Sequence, residues 1–437
     1  MVSEDLARLS WQRVTFDHLA TFSGWLVPSR EDRYEHSMWS LLFQTTLPNL
    51  LLVLHAHLFL RYPESRSLRL ILMPIIVLTA LRCAFAGKIN PSKFNQYNFM
   101  TSVAAVYTSC RAIVWAFPKK APQWTGNNRR LPLAVELVIT QRGACWDWGI
   151  PKPPTKPHQE FLWDSFNISA TGLILFDLLT TFIQHPAVTP KNELMTLEER
   201  SSGVLGDYHL IVVTFCIGVL VGCILQTYHT LLALIFVAIF PSTQATWAPR
   251  PLDAPWKSTS LSELWSKRWH SFFRYIFLNL AYRPTNALLK LLRVPSKPRR
   301  AASVLAVFVL SGLIHEVAQE GMAIRAPAAL SDPEKALFHS RQGWGARNYT
   351  STWFFTMSGI GVLLEDLFTS LTGIKVQGVW GNIWTLTFIT LTGMPLVKVW
   401  HAQGMAAETS AIGFTKPLVD RVVDLLIKLQ GESVSKA

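Results

Sequence analysis

Charge is scarce in this chain. Asp, Glu, Lys and Arg make up 16% of its 437 residues, against roughly 25% in soluble globular domains. Half of the residues are hydrophobic, and the mean hydropathy is +0.24. That excludes a string of soluble domains and implies a membrane protein. Acidic residues are the scarcer sign, with 28 Asp and Glu beside 41 Lys and Arg. The basic surplus does not point to nucleic acid, because it is scattered between apolar runs and forms no polar domain of its own. It reads as charge flanking the membrane. Cysteine is sparse as well. Five in so long a chain exclude a disulfide framework, and Cys216 and Cys223 lie inside an apolar run as packing residues. The first 33 residues lack the apolar core of a cleavable signal, since Glu4, Asp5, Arg8, Arg13 and Asp17 interrupt them. Targeting is therefore expected from the first span. No internal repeat is visible.

What the chain has in quantity is apolar runs long enough to cross a bilayer, which takes roughly 17 to 25 residues. Seven stand out: His36 to Leu60, Leu68 to Ala86, Tyr97 to Phe117, Phe161 to Gln184, Ala301 to Ile324, Thr350 to Thr372 and Gly378 to Trp400. Tyr208 to Pro249 is longer than one span needs and holds no Asp, Glu, Lys or Arg. It is one long span with a re-entrant piece, or two spans. Loop charge bears on the choice. Arg250 to Arg300 is strongly basic and reads as cytosolic, whereas Lys191 to Asp207 carries more acid than base and reads as lumenal. An odd number of crossings must separate them, which favours the single span. The expected architecture is an all-α polytopic membrane protein of about 8 or 9 transmembrane helices with re-entrant or interfacial helices. Residues 1–35 form an N-terminal interfacial segment, 36–401 the membrane domain and 402–437 a C-terminal tail. Phe272 to Leu292, half polar, suits a helix lying at the interface.

Ionisable groups inside spans are costly and are candidates for function. His315 and Glu316 close an apolar run that begins at Val304. A neutral imidazole at that depth is available as a base. The alternative is a histidine that only bonds a neighbouring helix. The second group is Ser260 to Arg274, where basic and aromatic residues interleave. On a continuous helix Trp265, Trp269 and Phe273 share one face, and His270 and Arg274 the adjoining one. An interfacial anchor has the same pattern. Asp177 and the pair Glu365-Asp366 can relay protons or pair with Arg111 or Arg82. His55 and His57 lie on different helix faces, so no shared metal is expected. His315-Glu316 opens like a zinc signature, but Gln319 stands where the second ligand belongs, so no metal site is expected.

The Trp-Ser-Lys-Arg-Trp-His core ending at His270, followed by a span that reaches Ser-Gly-Leu-Ile-His-Glu at Glu316, resembles the wax synthase-like branch of the membrane-bound O-acyltransferase superfamily. It is similar in particular to fungal members that acylate secondary metabolites. The resemblance extends to Arg142, Gly143 and Trp146, where the branch reads Arg-Gly-Ile-Gly-Trp, and to Asp177. Two departures stand out. Ala144-Cys145 replaces Ile-Gly, and Ser266-Lys267 replaces Gly-Arg. The resemblance implies acyl transfer from acyl-CoA, acetyl-CoA in particular, to a hydroxyl of a hydrophobic terpenoid or meroterpenoid that enters from the bilayer. Acyl-CoA is then a co-substrate, with no bound cofactor. The implied location is the endoplasmic reticulum membrane. His315 takes the role of base and His270 an auxiliary one. Lys267, Arg268, Trp269 and Arg274 meet the acyl-CoA, unless the basic residues serve only as topology signals, while Glu316, Asp177 and Arg142 support the site. A long-chain wax ester synthase is the alternative within the class, and a secondary transporter the alternative outside it. A sequon, Asn348-Tyr349-Thr350, is expected in the lumen together with Asp332 to Asn348.

Overall fold

The computed structural model describes residues 24–28, 32–89, 91–126, 131–149, 156–189, 203–240, 244–248, 250–322, 349–402 and 412–434. Asp332 to Asn348 lie outside the described residues, as does most of the N-terminal segment. The protein is all-α and polytopic, and among the described residues eight helices are long and apolar enough to cross a membrane.

A short parallel pair, β1 (Tyr34–Glu35) with β2 (Gly87–Lys88), ties the start of the first span to the end of the second. The helices in chain order are α1 (Met38–Arg61), α2 (Arg66–Ala86), α3 (Pro91–Ala116), α4 (Leu133–Ile139), α5 (His158–Gln184), α6 (His209–Ile239) and α7 (Gln244–Trp247). The long uncharged run holds one crossing, because no proline interrupts it before Pro241. At 31 residues, α6 is about 46 Å long. The four residues of α7 follow it.

The basic segment departs from expectation. Helix α8 (Leu261–Glu263) widens into a π turn over Leu264–Arg268, closed by the Trp269 amide on the Leu264 carbonyl at 2.7 Å. Trp269 is then extended, with φ −87° and ψ 158°. The single helix expected through Phe273 does not form, and the shared face is lost with it. Trp265 packs against Phe308, Phe354 and Phe355, whereas Phe273 packs against Tyr107 and Phe277. Helix α9 (Arg274–Phe277), a π turn over Leu278–Tyr282 and α10 (Arg283–Leu291) form one continuous run. It leads to α11 (Ser296–Glu320), α12 (Thr350–Thr372), α13 (Gly378–Ala402) and α14 (Lys416–Val434).

Helix α5 packs along α6, α2 along α3, and α11 along α12. One core gathers side chains of α5, α6, α12 and α13, and another those of α1, α3 and α4. A third joins α3, α9 and α11 through Val106, Phe273, Ile276 and Ile314. Contacts at the helix ends set the direction of the spans. Arg33 pairs with Glu320 at 3.0 Å, so the start of α1 and the end of α11 share a side. Asn382 at the start of α13 donates to the carbonyls of Trp256 and Ser258. That joins the α12–α13 turn to the basic segment at the opposite end.

Three buried acids flagged in the sequence bind backbone rather than arginine. Asp177 accepts the Gly413 and Thr415 amides at 2.6 and 2.9 Å and the Thr415 hydroxyl at 2.7 Å. It thereby ties the entry of α14 to α5, so the C-terminal tail contains a docked helix. Glu365 accepts the Leu261 and Ser262 amides and the Trp384 indole N–H. Glu316 accepts the amides of Ser351 and Thr352 at 2.8 and 3.0 Å. Each carboxylate takes up amides that a helix N-terminus leaves free. Arg111 donates instead to the Leu137 and Val138 carbonyls, and Arg82 to that of Trp25.

Candidate active site

A cavity of about 1950 Å³ runs through the middle of the bundle, lined mostly by apolar side chains of α3, α5, α6 and α13 and by the basic segment. Both sequence-nominated histidines, His270 and His315, are in its wall.

His315 is positioned from two sides. Ser311, one turn earlier, accepts its Nδ1 proton at 2.7 Å. That bond fixes the tautomer, leaving Nε2 as a lone-pair acceptor with no hydrogen-bond partner among the described residues. The ring is held by Phe355 at 4.4 Å and Phe99 at 6.4 Å. Close approach of α11 and α12 makes this possible, since a Cβ on Gly312 would stand 2.4 Å from the Thr352 Cα. Glu316, the next residue after the histidine, does not line the cavity. Its work is to cap α12, whose own N-cap, Tyr349, makes no side-chain cap bond.

His270 follows the break at Trp269, and its Nδ1 has no partner among the described residues. Burial pushes the imidazole down to about 3, helped by the nearby charges of His315 and Arg142. It therefore works as a neutral group across the physiological range. Phe272 lies between it and a third histidine, with ring centres 5.4 Å from His270 and 6.1 Å from His229, both stacked. His229 sits behind that ring on α6 and packs on Trp247 at 5.4 Å. Nothing in the sequence singled it out, because a lone His in an apolar run carries no motif.

The cations divide. Arg268 does not line the cavity. Its Nε donates to Glu263 at 2.8 Å and its Nη1 to the Asp253 carbonyl at 3.1 Å. Glu263 also takes the Thr259 amide, and that bond and Arg268 hold its carboxyl below the usual range despite an opposing desolvation effect. Ser260 caps α8 by receiving the Glu263 amide at 3.0 Å, while the Glu263 carboxylate reaches back one residue past the cap to Thr259. Lys267 and Arg274 are exposed and line the cavity, as does Trp269. Arg142 lines it too, while Asp177 is remote in the α14 clamp. The clamp also removes Asp177 from the polar path that a transporter would need.

The Arg142 loop turns on two residues with positive φ, Gly143 and Cys145. Gly143 has φ +67°, and a Cβ there would strike Trp148 at 2.5 Å. Cys145, where the motif that this loop resembles has glycine, adopts φ 68°, a left-handed conformation that glycine takes at far lower cost.

Residues 248–340 match the model of the Membrane bound O-acyl transferase family. The interval contains both motif halves, His270 and His315, but neither Arg142 nor Asp177. The acetyltransferase atnC of an Arthrinium species is 25% identical over 294 residues, which is 60% of this chain and 61% of the relative. The O-mevalon transferase yanI of Aspergillus niger is 28% identical over 209 residues, 43% of this chain and 45% of the relative. The chain thus spans between 45% and 61% of the length of these curated relatives. No solved structure gives a significant match. The resemblance carried by the paired histidine motif is borne out by these matches.

Proposed function

We propose that this integral membrane protein is an acyl-CoA-dependent O-acyltransferase that esterifies a hydroxyl of a hydrophobic metabolite. The observation that carries the reading is His315: an imidazole with Nδ1 engaged by Ser311 and Nε2 free, in the wall of a large apolar cavity. In the reaction, Nε2 accepts the proton of the acceptor alcohol as its oxygen attacks the thioester carbonyl carbon. The tetrahedral oxyanion takes a hydrogen bond from the neutral His270 imidazole. Collapse breaks the carbon–sulfur bond, and the imidazolium returns its proton to the thiolate leaving group.

Lys267 and Arg274, exposed at the cavity, meet the CoA phosphates, and Trp269 packs beside them. The same basic segment faces the cytosol, where acyl-CoA is made. An acetyltransferase among the similar fungal proteins supports acetyl-CoA as donor, while a terpenoid-like alcohol as acceptor and the endoplasmic reticulum membrane as location rest on the motif resemblance alone. The cavity volume favours a second reading of the donor. Ordinary ligand pockets occupy roughly 300 to 1,000 Å³, so about 1950 Å³ has room for a long acyl chain as well as an alcohol, as in a wax ester synthase.

Microsomes containing the expressed protein, supplied with acetyl-CoA or palmitoyl-CoA and a panel of terpenoid and fatty alcohols, test both readings by mass spectrometry. Ester from acetyl-CoA alone supports the first and ester from palmitoyl-CoA the second. No ester with any pair overturns the acyl-transfer reading.

A further inference from the structure

One buried cation in the cavity wall has no counter-ion among the described residues. Arg142 is only 8% exposed. Its Nη1 donates to the Arg250 carbonyl, and its Nη2 has no partner among the described residues. Burial without an acid beside it lowers the guanidinium to about 9. Asp253 is the one carboxylate among the described residues that line the cavity, and it lies 3.8 Å from Arg268. The other cations there are paired or exposed: Lys156 and Arg250 face Asp164, and Lys267 and Arg274 are open to solvent.

Two amides of the same wall are also incomplete. Gln141, next to Arg142 in the chain, has an unpartnered Oε1, and Gln226 on α6 has neither amide atom satisfied. Gln226 is one turn before His229, and the Arg142 charge acts on both His229 and His270. Buried polar atoms without partners are rare in folded proteins and costly when charged. Several of them among the residues that line one cavity leave donors and acceptors that a bound group can satisfy. A guanidinium with one arm on backbone and the other free offers directed donors to an oxyanion, and the amides add both a donor and acceptors.

We propose that Arg142, with Gln141 and Gln226, forms a subsite for an anionic oxygen of a substrate, a carboxylate or a phosphate. The assignment deepens the acyl-transfer reading and rests on it for the identity of the bearer. That bearer is coenzyme A through its phosphates, or an acceptor that carries a carboxylate besides its hydroxyl.

The test is equilibrium binding to the purified full chain in detergent, measured without turnover. Three probes are used: coenzyme A, 12-hydroxystearate, and the neutral methyl ester of 12-hydroxystearate. The wild type is expected to bind at least one anionic probe, and Arg142→Gln to weaken that probe at least about tenfold while leaving the methyl ester unchanged. Loss confined to coenzyme A identifies the donor phosphates as the bearer, and loss confined to 12-hydroxystearate identifies the acceptor carboxylate. Arg142→Lys should retain part of the affinity, since charge remains without the planar fork. If Arg142→Gln fails to fold, Arg142→Lys and Gln226→Leu carry the test, each weakening the anionic probe more than the ester. The subsite is overturned if the wild type binds neither anion, if no variant weakens one, or if the ester weakens equally. A wild type that binds the anion but forms no ester with any donor retains the subsite and loses only the acyl-transfer reading.

Discussion

The Glu316 carboxylate accepts the Ser351 amide at 2.8 Å, which makes the residue after His315 the cap of a neighbouring span. Two consecutive side chains on α11 thus divide their labour, one turned to the cavity and one to the α12 N-terminus. Glu316→Ala should lose the cap, typically worth about 0.5 to 2 kcal/mol, and should lower the melting temperature in detergent. Glu316→Gln keeps an oxygen acceptor and should recover much of that loss. Unchanged melting in both variants would remove the capping role.

His315→Ala should abolish ester formation without changing membrane insertion or abundance. Loss of a general base costs about 10² to 10⁴ in rate. The rate is measured on microsomes matched for protein by immunoblot. Residual activity above about a tenth lies outside that range and assigns the proton to another acceptor.

For His270 the expectation concerns both rate and pH. Asn at this position keeps a neutral donor, whereas Ala removes it at a cost of about 10² to 10³ in rate for a comparable oxyanion donor. Equal losses would leave His270 without that role. The pH behaviour follows from the imidazole being held at about 3 from an ordinary 6.5. Between those values the unfolded chain binds a proton that the folded chain refuses, so stability is retained above 6.5 and falls as pH drops toward 3. His270→Asn removes that dependence. Wild type should therefore lose more melting temperature than the variant on going from about pH 7 to about pH 5. Parallel losses would mean that the ring is already charged in the fold.

The spans were legible because apolar length is a local signal, and α12 matches its run residue for residue. The two histidines were legible through their motifs. What the sequence hid depends on contacts between distant segments. Asp177, Glu316 and Glu365 have nothing beside them in the chain to distinguish a cap from a relay, because their amide partners belong to other helices. The break at Trp269 was hidden for a different reason. Four-residue spacing of Trp265, Trp269 and Phe273 mimics a helical face, and only the π turn, anchored by Glu263 and Arg268, displaces it. The departure at Cys145 said nothing of its backbone, which is left-handed with a side chain present.

The last prediction concerns the sides of the membrane. Acyl-CoA is made in the cytosol and does not cross a bilayer, so acyl transfer requires the basic segment to face that compartment, as its charge does by the positive-inside rule. Helix α6 then carries the chain from a lumenal Asp207 to a cytosolic Lys257 in one crossing. The Asn382 bonds to the Trp256 and Ser258 carbonyls put the start of α13, and with it the α12–α13 turn that carries Lys375, at the same end of the bundle as Lys257. Single cysteines report these positions in a background where the five native cysteines, none of them exposed, are left in place. Lys257 and Lys375 are exposed and suit labelling, whereas Ser258 is 0% exposed and would be silent on either side. Lys257→Cys and Lys375→Cys should react with an impermeant maleimide in intact, cytosol-side-out microsomes, and Asp207→Cys only after permeabilisation. Labelling in the opposite order would put Lys267 and Arg274 in the lumen, away from any CoA. Labelling of Asp207→Cys and Lys257→Cys together in intact vesicles would mean that α6 does not complete a single crossing.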